Sequence, residues 1–290
     1  MTTHHASRLR VGIIGVGRVG STVGRALQNA GHSVVAVHAV SAQSQTRAQE
    51  FFPATDITTI EDVVRESDLV LFAVPDDVLG NLVSGIAQSH GFRSGQFIVH
   101  TSGRFGVSVL TPAALQGALV MALHPAMTFV GVESDIHRLN ACPFAVTAAD
   151  DAIAVAQALV IEMGGEPHIV SEVDRVRYHA ALAHASNHLT TLITQSEEML
   201  RDIGIENGGD FLTPLVMASA ENALQRGISA LTGPVSRADV ETVKAHIAEI
   251  PLGITHETYC ALALATIDAA RRANRITAAQ ADDLRAAVRQ

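Results

Sequence analysis

The 290-residue chain has few cysteines, few aromatic residues and a shortage of positive charge. Its two cysteines, Cys142 and Cys260, lack the close spacing of a metal site, so we expect neither a disulfide framework nor an oxidising compartment. Lysine and arginine number 20 against 29 acidic residues, the net charge is −9, and aromatic residues make up 4%. A nucleic-acid surface requires the opposite balance of charge, so we expect no nucleic-acid partner.

Long apolar runs are also missing, although hydrophobic residues make up 48% of the chain. No run approaches the roughly 20 apolar residues that a membrane helix needs, so we expect no membrane partner. The N-terminal stretch MTTHHASRLR contains no apolar segment of the kind found in signal peptides. Together with the cysteine usage, this predicts a cytoplasmic location.

The two parts of the chain have different hydrophobic patterns. Over residues 1–170, short β-branched runs alternate with helical stretches, and the apolar run at 69–74 is typical of a parallel strand covered on both faces. This alternation predicts right-handed βαβ units and a doubly wound, mostly parallel Rossmann sheet. Over residues 171–290 the pattern is helical. We therefore expect an α/β Rossmann domain over 1–170 and an all-α C-terminal domain over 171–290.

The same patterns give approximate bounds for each element. The predicted strands cover residues 10–14, 33–39, 69–74, 96–100, 119–123, 144–147 and 168–170. The predicted helices cover residues 20–30, 61–66, 77–89, 113–116 and 151–163 in the first domain, and 172–203, 212–226, 236–250 and 255–273 in the second. A last helix is predicted to begin at Thr277, where the sequence Thr-Ala-Ala-Gln has the form of a capping box.

A glycine-rich turn lies between the first predicted strand and the first predicted helix. The sequence Gly15-Val16-Gly17-Arg18-Val19-Gly20 has the spacing of a dinucleotide-binding turn. Gly15 would permit the tight turn, Gly17 would let the backbone approach a pyrophosphate, and Gly20 would let helix and strand pack closely. The helix N-terminus would supply unpaired N–H groups to the phosphates. We interpret the turn as a nucleotide site, the alternative being a structural bend.

The residues after the second predicted strand indicate which dinucleotide is bound. An NAD site usually has an acid there to hold the ribose 2′-hydroxyl, but this chain has no acid in that stretch before Glu50. Ser41, Ser44 and Arg47 could instead bind a 2′-phosphate, with Arg47 supplying the charge, and a solvated loop is the alternative. We therefore predict NADP as the cofactor in preference to NAD.

The strand predicted at 69–74 ends at the sheet edge where a ligand should lie. Ala73, Val74 and Pro75 are therefore expected to line the cofactor site, and Pro75 turns the chain because it cannot continue the ladder. Asp76 or Asp77 is expected mainly to cap the helix that follows, with direct chemistry as the alternative.

The chain contains 14 histidines, and two of them lie where predicted strands end at the same edge. His100 and His124 should both face the crevice in which a nicotinamide would lie. Hydride transfer to or from a carbonyl needs a proton donor or acceptor, and histidine titrates in the useful range. Adjacent strand ends could bring Ser102 to His124. We predict acid/base catalysis or substrate binding for His124, a structural role being the alternative.

Polar residues recur on the first long helix of the predicted C-terminal domain. His179 and Ser186 share one face, and His184 neighbours Asn187 one turn away. Serine and asparagine among alanines indicate contact with a ligand or, alternatively, a buried interhelical hydrogen bond. His184 and His188 have a spacing compatible with a metal, but no acid or third ligand accompanies them, so we expect no metal.

A loop at 231–239 opens a later helix. Within it, Arg237 could hold a carboxylate through two hydrogen bonds, the alternative being a capped helix start with an exposed arginine. We assign His179, Ser186, Thr232 and Arg237 as candidate substrate contacts, and we expect the substrate to be anionic.

These motifs together resemble the reductases of the 6-phosphogluconate-dehydrogenase-like superfamily, in which a Rossmann domain precedes a helical domain. Within that superfamily the chain resembles a branch of short dehydrogenase-like proteins with a Rossmann-like domain and a helical domain of unknown function. The resemblance covers nearly the whole chain, and its most specific segments are LHPAMTF (123–129), YHAALAHASNHL (178–189) and LTGPVSRAD (231–239). The branch usually has glycine where this chain has Ala238.

The resemblance also implies roles for particular residues. Ser102 and the His124-Pro125 pair are similar to prephenate and arogenate dehydrogenases, where a serine and the histidine attend the hydroxyl that loses hydride. The hydroxyacid dehydrogenases of the superfamily place a lysine four residues before an asparagine on the long helix. Here Asn187 matches but Ala183 replaces the lysine, which shifts the catalytic weight to His124 or His184. Some relatives in the branch are linked to ketopantoate reduction.

The sequence thus predicts an NADP-dependent oxidoreductase that acts on a small oxo or hydroxy acid or on an imine. His124, helped by Ser102, would exchange the proton, Asn187 would orient the reacting oxygen, and Arg237 would hold an anionic group. A non-catalytic NADP(H)-binding sensor or regulator is the alternative. The richly apolar long helix further predicts a homodimer.

Overall fold

The structure is a computed structural model, and it describes residues 8–289. Within this range one sheet contains seven strands, which are β1 (Arg10–Ile14), β2 (Ser33–His38), β3 (Leu69–Phe72), β4 (Phe97–His100), β5 (Leu119–Pro125), β6 (Pro143–Ala148) and β7 (Glu166–Ile169). Their order is β2-β1-β3-β4-β5-β6-β7, and every neighbouring pair is parallel except β5 with β6. The predicted mostly parallel, Rossmann-like sheet is confirmed, and β1, β3, β4 and β5 end at one edge.

Both faces of the sheet are buried, which explains why the central strands are almost continuously apolar. Along β3, Leu69 and Leu71 belong to the core on one face, whereas Val70 and Phe72 belong to the core on the other. All four side chains are at most 1% exposed. Successive side chains of a strand point to opposite faces, so a strand covered on both sides shows no polar alternation.

Helices cover the two faces of this sheet. They are α1 (Arg18–Asn29), α2 (Ala42–Phe51), α3 (Ile60–Glu66), α4 (Asp76–Gln88), α5 (Thr111–Ala114), α6 (Ser134–Arg138) and α7 (Ile153–Glu162). The sequence predicts neither α2 nor α6. In α2 only Ala48 and Phe51 are buried, which leaves little hydrophobic periodicity to detect, and α6 is barely longer than one turn.

The structure corrects the prediction for the acids after β3. The helix α4 begins directly after Pro75, which holds the N-cap position without a side-chain hydrogen bond. Asp76 and Asp77 therefore lie inside the first turn, where a carboxylate interacts favourably with the helix dipole. Asp76 also forms an ion pair of 3.7 Å with Arg104. The predicted capping role is wrong because the helix begins one residue earlier than that role requires.

Packing divides the described residues into two compact units that separate after Asn187. The division falls within the long α8 (Arg175–Asp202), and the second unit contains α9 (Gly208–Arg226), α10 (Val240–Glu249), α11 (Ile254–Arg272) and α12 (Ala278–Val288). At the start of α12, Thr277 and Gln280 form the predicted capping box. The domain boundary predicted at 170–171 lies just before the 3₁₀ turn that precedes α8, whereas packing divides the chain inside that helix.

The second unit has its own small core, which includes the fully buried Val243, Ile267 and Leu284. Its helices agree with the predicted helical C-terminal pattern. Within residues 8–289, no helix is both long and apolar enough to span a membrane.

Candidate functional site

The glycine-rich turn between β1 and α1 has the geometry that its three glycines predict. Gly15 has φ of +97°, and a Cβ there would lie 2.5 Å from the Ala73 carbonyl oxygen and 3.1 Å from Val74 Cγ1. A Cβ at Gly20 would collide with the Gly15 carbonyl oxygen, whereas one at Gly17 would meet nothing within 4 Å. The turn is therefore tightly packed against the chain at Gly15 and Gly20 and open at Gly17.

The open side of this turn fits a diphosphate group. Gly17 is the N-cap of α1, where no side chain caps the helix and no acid occupies the first turn. The first N–H groups of α1 are thus available to an anion. Val16 is fully buried in the core and Val19 packs against it, so these two valines could reach a ligand only through their main chain, whereas Arg18 is exposed.

The residues after β2 form the N-terminal turns of α2, so the alternative of a solvated loop is wrong here. The Ser44 N–H donates to Ser41 Oγ at 3.1 Å, and Ser44 Oγ donates to the Ser41 carbonyl oxygen at 2.8 Å. Arg47 follows one turn later and is half-buried. The three predicted 2′-phosphate contacts are therefore spaced three residues apart along one side of a helix end.

A cleft of about 370 Å³ lies within the first unit, between the end of β5 and the first half of α8. It is lined by His124, Ala126, Met127, Thr128, His179, Leu182, Ala183, Ala185, Ser186 and Asn187. The structure thus brings together four residues that the sequence selects, namely His124, His179, Ser186 and Asn187. Ser186 Oγ donates to Asn187 Oδ1 at 3.0 Å.

A larger hollow of about 600 Å³ lies between α3 and α4, but its chemistry is weaker. Its lining includes Arg93, whose guanidinium donates to the carbonyl oxygens of Val64, Arg65 and Ser67 at 3.2, 2.6 and 2.6 Å. That cation is already engaged in holding backbone together. The cleft beside His124 is therefore the stronger candidate.

His124 is paired with a hydroxyl group that the sequence does not single out. Its Nδ1 lies 2.8 Å from the Tyr178 hydroxyl, and the two rings meet edge to face with centroids 5.6 Å apart. Nε2 lies on the side of Gly103, where a Cβ would come within 2.8 Å of it. Gly103 thus leaves room for the ring of His124 and for that of His179, which lies edge-on to it at 5.9 Å.

Both members of this pair are neutral at neutral pH. Burial, with a smaller contribution from the nearby Arg175 cation, lowers the pKa of His124 to about 4. Burial raises the pKa of Tyr178 to about 12. In the resting state the imidazole and the phenol therefore form a hydrogen-bonded pair that carries no net charge on either ring.

Arg175, the first residue of α8, is fully buried, and its charge acts on His124. Its guanidinium donates to Thr147 Oγ1 at 2.7 Å, and to the carbonyl oxygens of Ala122 at 2.8 Å, Ala145 at 3.2 Å and Ser102 at 3.3 Å. Burial lowers the pKa of Arg175 to about 10, so it remains a cation at neutral pH. It joins β5, β6 and the loop after β4 to the start of α8.

His100 does not face the cleft, so that prediction is wrong. It is fully buried, its Nε2 donates to the Gly106 carbonyl oxygen at 2.7 Å, and its Nδ1 accepts the Ser102 N–H at 3.1 Å. Ser102 Oγ accepts the Phe105 N–H at 3.1 Å. His100 and Ser102 thus shape the loop after β4. The hydroxyl group that forms a hydrogen bond with His124 belongs to Tyr178 and not, as predicted, to Ser102.

His184, Thr232 and Arg237 are the remaining candidates. His184 follows His179 by five positions, which places it about 140° away around α8, and it is exposed. Thr232 and Arg237 belong to the second unit and are exposed there, Arg237 at the end of the 3₁₀ turn Val235–Arg237. Ala238 follows with φ of +55°, the left-handed conformation that favours glycine. Within residues 8–289, no group of three histidine, cysteine or acidic side chains could hold a metal ion.

Two known domain families match the chain. A Rossmann-like domain matches residues 2–125, and a domain of unknown function, DUF2520, matches residues 142–266. None of the curated proteins matches the chain.

Several solved structures have the same fold at low sequence identity. A proposed NADP oxidoreductase from Bacteroides fragilis is 19% identical with a TM-score of 0.75, over 89% of this chain and 98% of that one. An imine reductase from Pseudomonas sp. is 18% identical with a TM-score of 0.59, over 98% and 93%. A 1-pyrroline-5-carboxylate reductase from Streptococcus pyogenes is 16% identical with a TM-score of 0.58, over 97% and 100%. The chain therefore matches a Rossmann-like domain followed by a DUF2520 domain, as its motifs predict, and it shares its fold with these reductases.

Proposed function

We propose that the protein is an NADP-dependent oxidoreductase that transfers hydride to or from a small oxo or hydroxy acid or an imine. The observation that carries this proposal is the neutral His124–Tyr178 pair at the carboxyl end of β5, which borders a cleft beside the sheet edge. The open glycine turn after β1 ends at the same edge. Ligands of open α/β sheets bind at this edge.

The cofactor would bind through main-chain groups and through the end of α2. The N–H groups at the start of α1 would hold the diphosphate, and Ser41, Ser44 and Arg47 would hold the 2′-phosphate. The preference for NADP over NAD is supported by the lack of an acid in the stretch between the end of β2 and Glu50. The names of two similar structures, an NADP oxidoreductase and an imine reductase, agree with a reductase.

Replacing Gly17 with valine tests the cofactor site. The φ of −77° and ψ of −167° suit any residue and no protein atom lies near a Cβ there, so the melting temperature should be unchanged. The side chain would instead occupy the space of the diphosphate, and NADPH affinity should fall at least about 100-fold by fluorescence titration. Gly20→Ala is the contrasting variant, because its Cβ meets the Gly15 carbonyl oxygen and overpacking there should cost about 1–3 kcal/mol of stability. Unchanged NADPH affinity in G17V would contradict the assignment.

The chemistry of the protein itself would be proton transfer and orientation. NADPH, when bound, supplies the hydride. In the reducing direction, the His124 Nε2–H would donate a proton to the substrate atom that gains charge, and the Tyr178 hydroxyl would pass its proton to Nδ1. The Tyr178 phenolate left by this transfer would regain a proton from solvent before the next turnover. Asn187 would orient the reacting group from the opposite wall of the cleft. Ala183, at the position of the lysine in the hydroxyacid dehydrogenases, also lines the cleft, so this site would work without that amine.

The substrate class can be tested by the consumption of NADPH. The purified protein is incubated with NADPH and a panel of small 2-oxo acids and cyclic imines, each imine with and without a carboxylate. We expect turnover with at least one member, faster for the carboxylated compound of a pair. Loss of that turnover in His124→Ala with NADPH binding retained would support catalysis at this cleft, whereas activity with none of the panel would weigh against the substrate classes.

A non-catalytic NADP(H) sensor is the second candidate, because the cleft lacks the lysine on which related dehydrogenases rely. The same panel separates the two functions. A sensor would bind NADPH tightly but would not oxidise it in the presence of any compound of the panel. An enzyme would bind NADPH and oxidise it with at least one of these compounds.

We also propose a homodimer. In α9 only Gly208 is buried, and Phe211, Leu215 and Leu224 are 62, 64 and 89% exposed. A helix with this much uncovered apolar surface requires a partner, and a second copy of the chain is the commonest one.

The cytoplasmic location stays a prediction from cysteine usage, and the substrate roles of Thr232 and Arg237 stay predictions from sequence.

A further inference from the structure

The segment of residues 126–133 between β5 and α6, which we name the Gly131 loop, is held by one buried carboxylate. Asp135 is fully buried, and its Oδ2 accepts the N–H groups of Val130 at 2.9 Å and of Gly131 at 2.8 Å. Within the described part of the chain its Oδ1 has no hydrogen-bond partner, and the Arg138 guanidinium lies 3.6 Å from it. Hydrogen bonds to a charged acceptor are strong, so Asp135 fixes the backbone at Gly131.

Gly131 lies against two arginines of the proposed cofactor site. A Cβ at Gly131 would come within 2.9 Å of Arg18 Cγ, 3.1 Å of Arg47 Nε and 3.3 Å of Arg47 Nη2. Arg18 begins α1 at the glycine turn, and Arg47 lies in α2. The bare backbone of Gly131 therefore forms one wall of the space that the Arg47 guanidinium occupies.

Neither of these two cations forms an ion pair in the described part of the chain. Among residues 8–289, no carboxylate oxygen lies within 4.0 Å of the guanidinium nitrogens of Arg18 or Arg47. A guanidinium held in place with its charge unpaired suits a phosphate, which it can bind through two hydrogen bonds. The ribose of NAD offers a neutral hydroxyl at the same position and would gain much less.

We propose that the Gly131 loop, anchored by Asp135, is a specificity-determining element that holds Arg47 in position for the 2′-phosphate of NADP(H). This inference rests on the proposed function. It means that a second chain segment, far in sequence from the glycine turn, helps the protein to distinguish NADP from NAD. Gly131 and Asp135 are positioning residues in this account, and Arg47 is the residue that contacts the phosphate.

The test is the ratio of NADPH to NADH affinity, measured by fluorescence titration of the full chain. In Gly131→Ala the new methyl group presses on Arg18 Cγ and on the Arg47 guanidinium. A shift of Arg18 beside the glycine turn affects both nucleotides alike, whereas a shift of Arg47 affects NADPH alone. The ratio therefore falls roughly tenfold, as for one lost charge-assisted hydrogen bond. Gly95→Ala is the matched control. Gly95 also has a positive φ, +76°, but a Cβ there meets nothing within 4 Å, so the ratio stays at the wild-type value.

A second pair of variants tests the anchor. Asp135→Ala removes the acceptor of both N–H groups and should lower the ratio, whereas Asp135→Asn keeps an oxygen for them and should retain it. In Arg47→Ser the ratio falls, and adding Gly131→Ala should lower it no further, because the loop acts through Arg47. Thermal unfolding identifies which variants are folded.

The outcomes separate this inference from the proposed function. Failure of the wild-type protein to bind either nucleotide overturns the proposed function. A wild-type protein that prefers NADPH, with the same preference in whichever of Gly131→Ala and Asp135→Ala is folded, overturns the inference alone. An additional loss of preference when Gly131→Ala is combined with Arg47→Ser also overturns it, because the loop would then act independently of Arg47.

Discussion

His124→Ala is expected to slow NADPH-dependent turnover by about 10²–10⁴-fold and to leave the affinity for NADPH nearly unchanged. The ring lines the cleft and contacts the Tyr178 hydroxyl, so its removal takes away the group that exchanges the proton. Stopped-flow measurement of hydride transfer and fluorescence titration of NADPH check the two parts of this expectation separately.

Two further variants make the result specific. Tyr178→Phe keeps the aromatic packing and removes the hydroxyl, and it should cost about tenfold because His124 keeps its position but loses its proton partner. His168→Ala removes an exposed histidine of the same unit and should have no effect. Equal turnover in wild type and His124→Ala would exclude His124 from the mechanism.

The folded protein is expected to lose stability steeply between pH 6.5 and pH 4. Burial lowers the pKa of both His100 and His124 to about 4 in the folded state, against 6.5 for the ordinary side chain. Between these values the unfolded chain binds more protons than the folded one, so stability rises with pH across this window and falls as the pH drops. Each histidine contributes about 3 kcal/mol at full titration, which is a large part of an ordinary folding free energy.

The geometry of His100 gives this expectation a structural basis. A carbonyl oxygen can only accept and a backbone N–H can only donate, so Gly106 and Ser102 together require the neutral ring with its proton on Nε2. A second proton on Nδ1 would face the Ser102 N–H. Protonation therefore breaks a buried hydrogen bond as well as burying a charge.

Urea unfolding at a series of pH values measures the effect. His100→Gln cannot titrate in this range, and it should reduce the dependence of the unfolding free energy on pH by about half, whatever its own stability. The carboxylates of Asp62 and Asp239, whose pKa values are held below 3.8 mainly by hydrogen bonds from threonine hydroxyls, lose their contribution only at lower pH. An unchanged slope between pH 4 and 6.5 in the variant would contradict the assignment.

The sheet can be predicted from sequence because its central strands are buried on both faces and bounded by turn residues. Each of the seven strands of the described chain overlaps a predicted segment, and β1 agrees at both ends. The helix α2 cannot be predicted in this way, because its exposed positions carry no alternation and its start depends on a local cap at Ser41. Long elements with a strong hydrophobic pattern can therefore be predicted from sequence, whereas the bounds of short exposed helices depend on local capping.

The candidate site can be predicted only in part. The end of β5 selects His124, and helical spacing groups His179 with Ser186, but spacing alone does not tell which face of α8 borders the cleft. His184 is exposed, and its catalytic role stays a prediction from sequence. The contact between His124 and Tyr178 joins positions 54 residues apart and follows from the way α8 begins beside the sheet. Tyr178 precedes His179 in a segment that carries the family resemblance, which is the one signal that could have found it.

The buried guanidinium at the start of α8 has a mechanical consequence. Arg175 binds carbonyl oxygens on β5 and β6 and one on the loop after β4, so this helix end cannot shift against the strand that carries His124 without breaking several hydrogen bonds. The two walls of the proposed substrate cleft in the first unit are thereby preorganised: they stand at a fixed separation before any ligand arrives. Little binding energy is then spent on assembling them, and shape alone can reject a molecule that is too large.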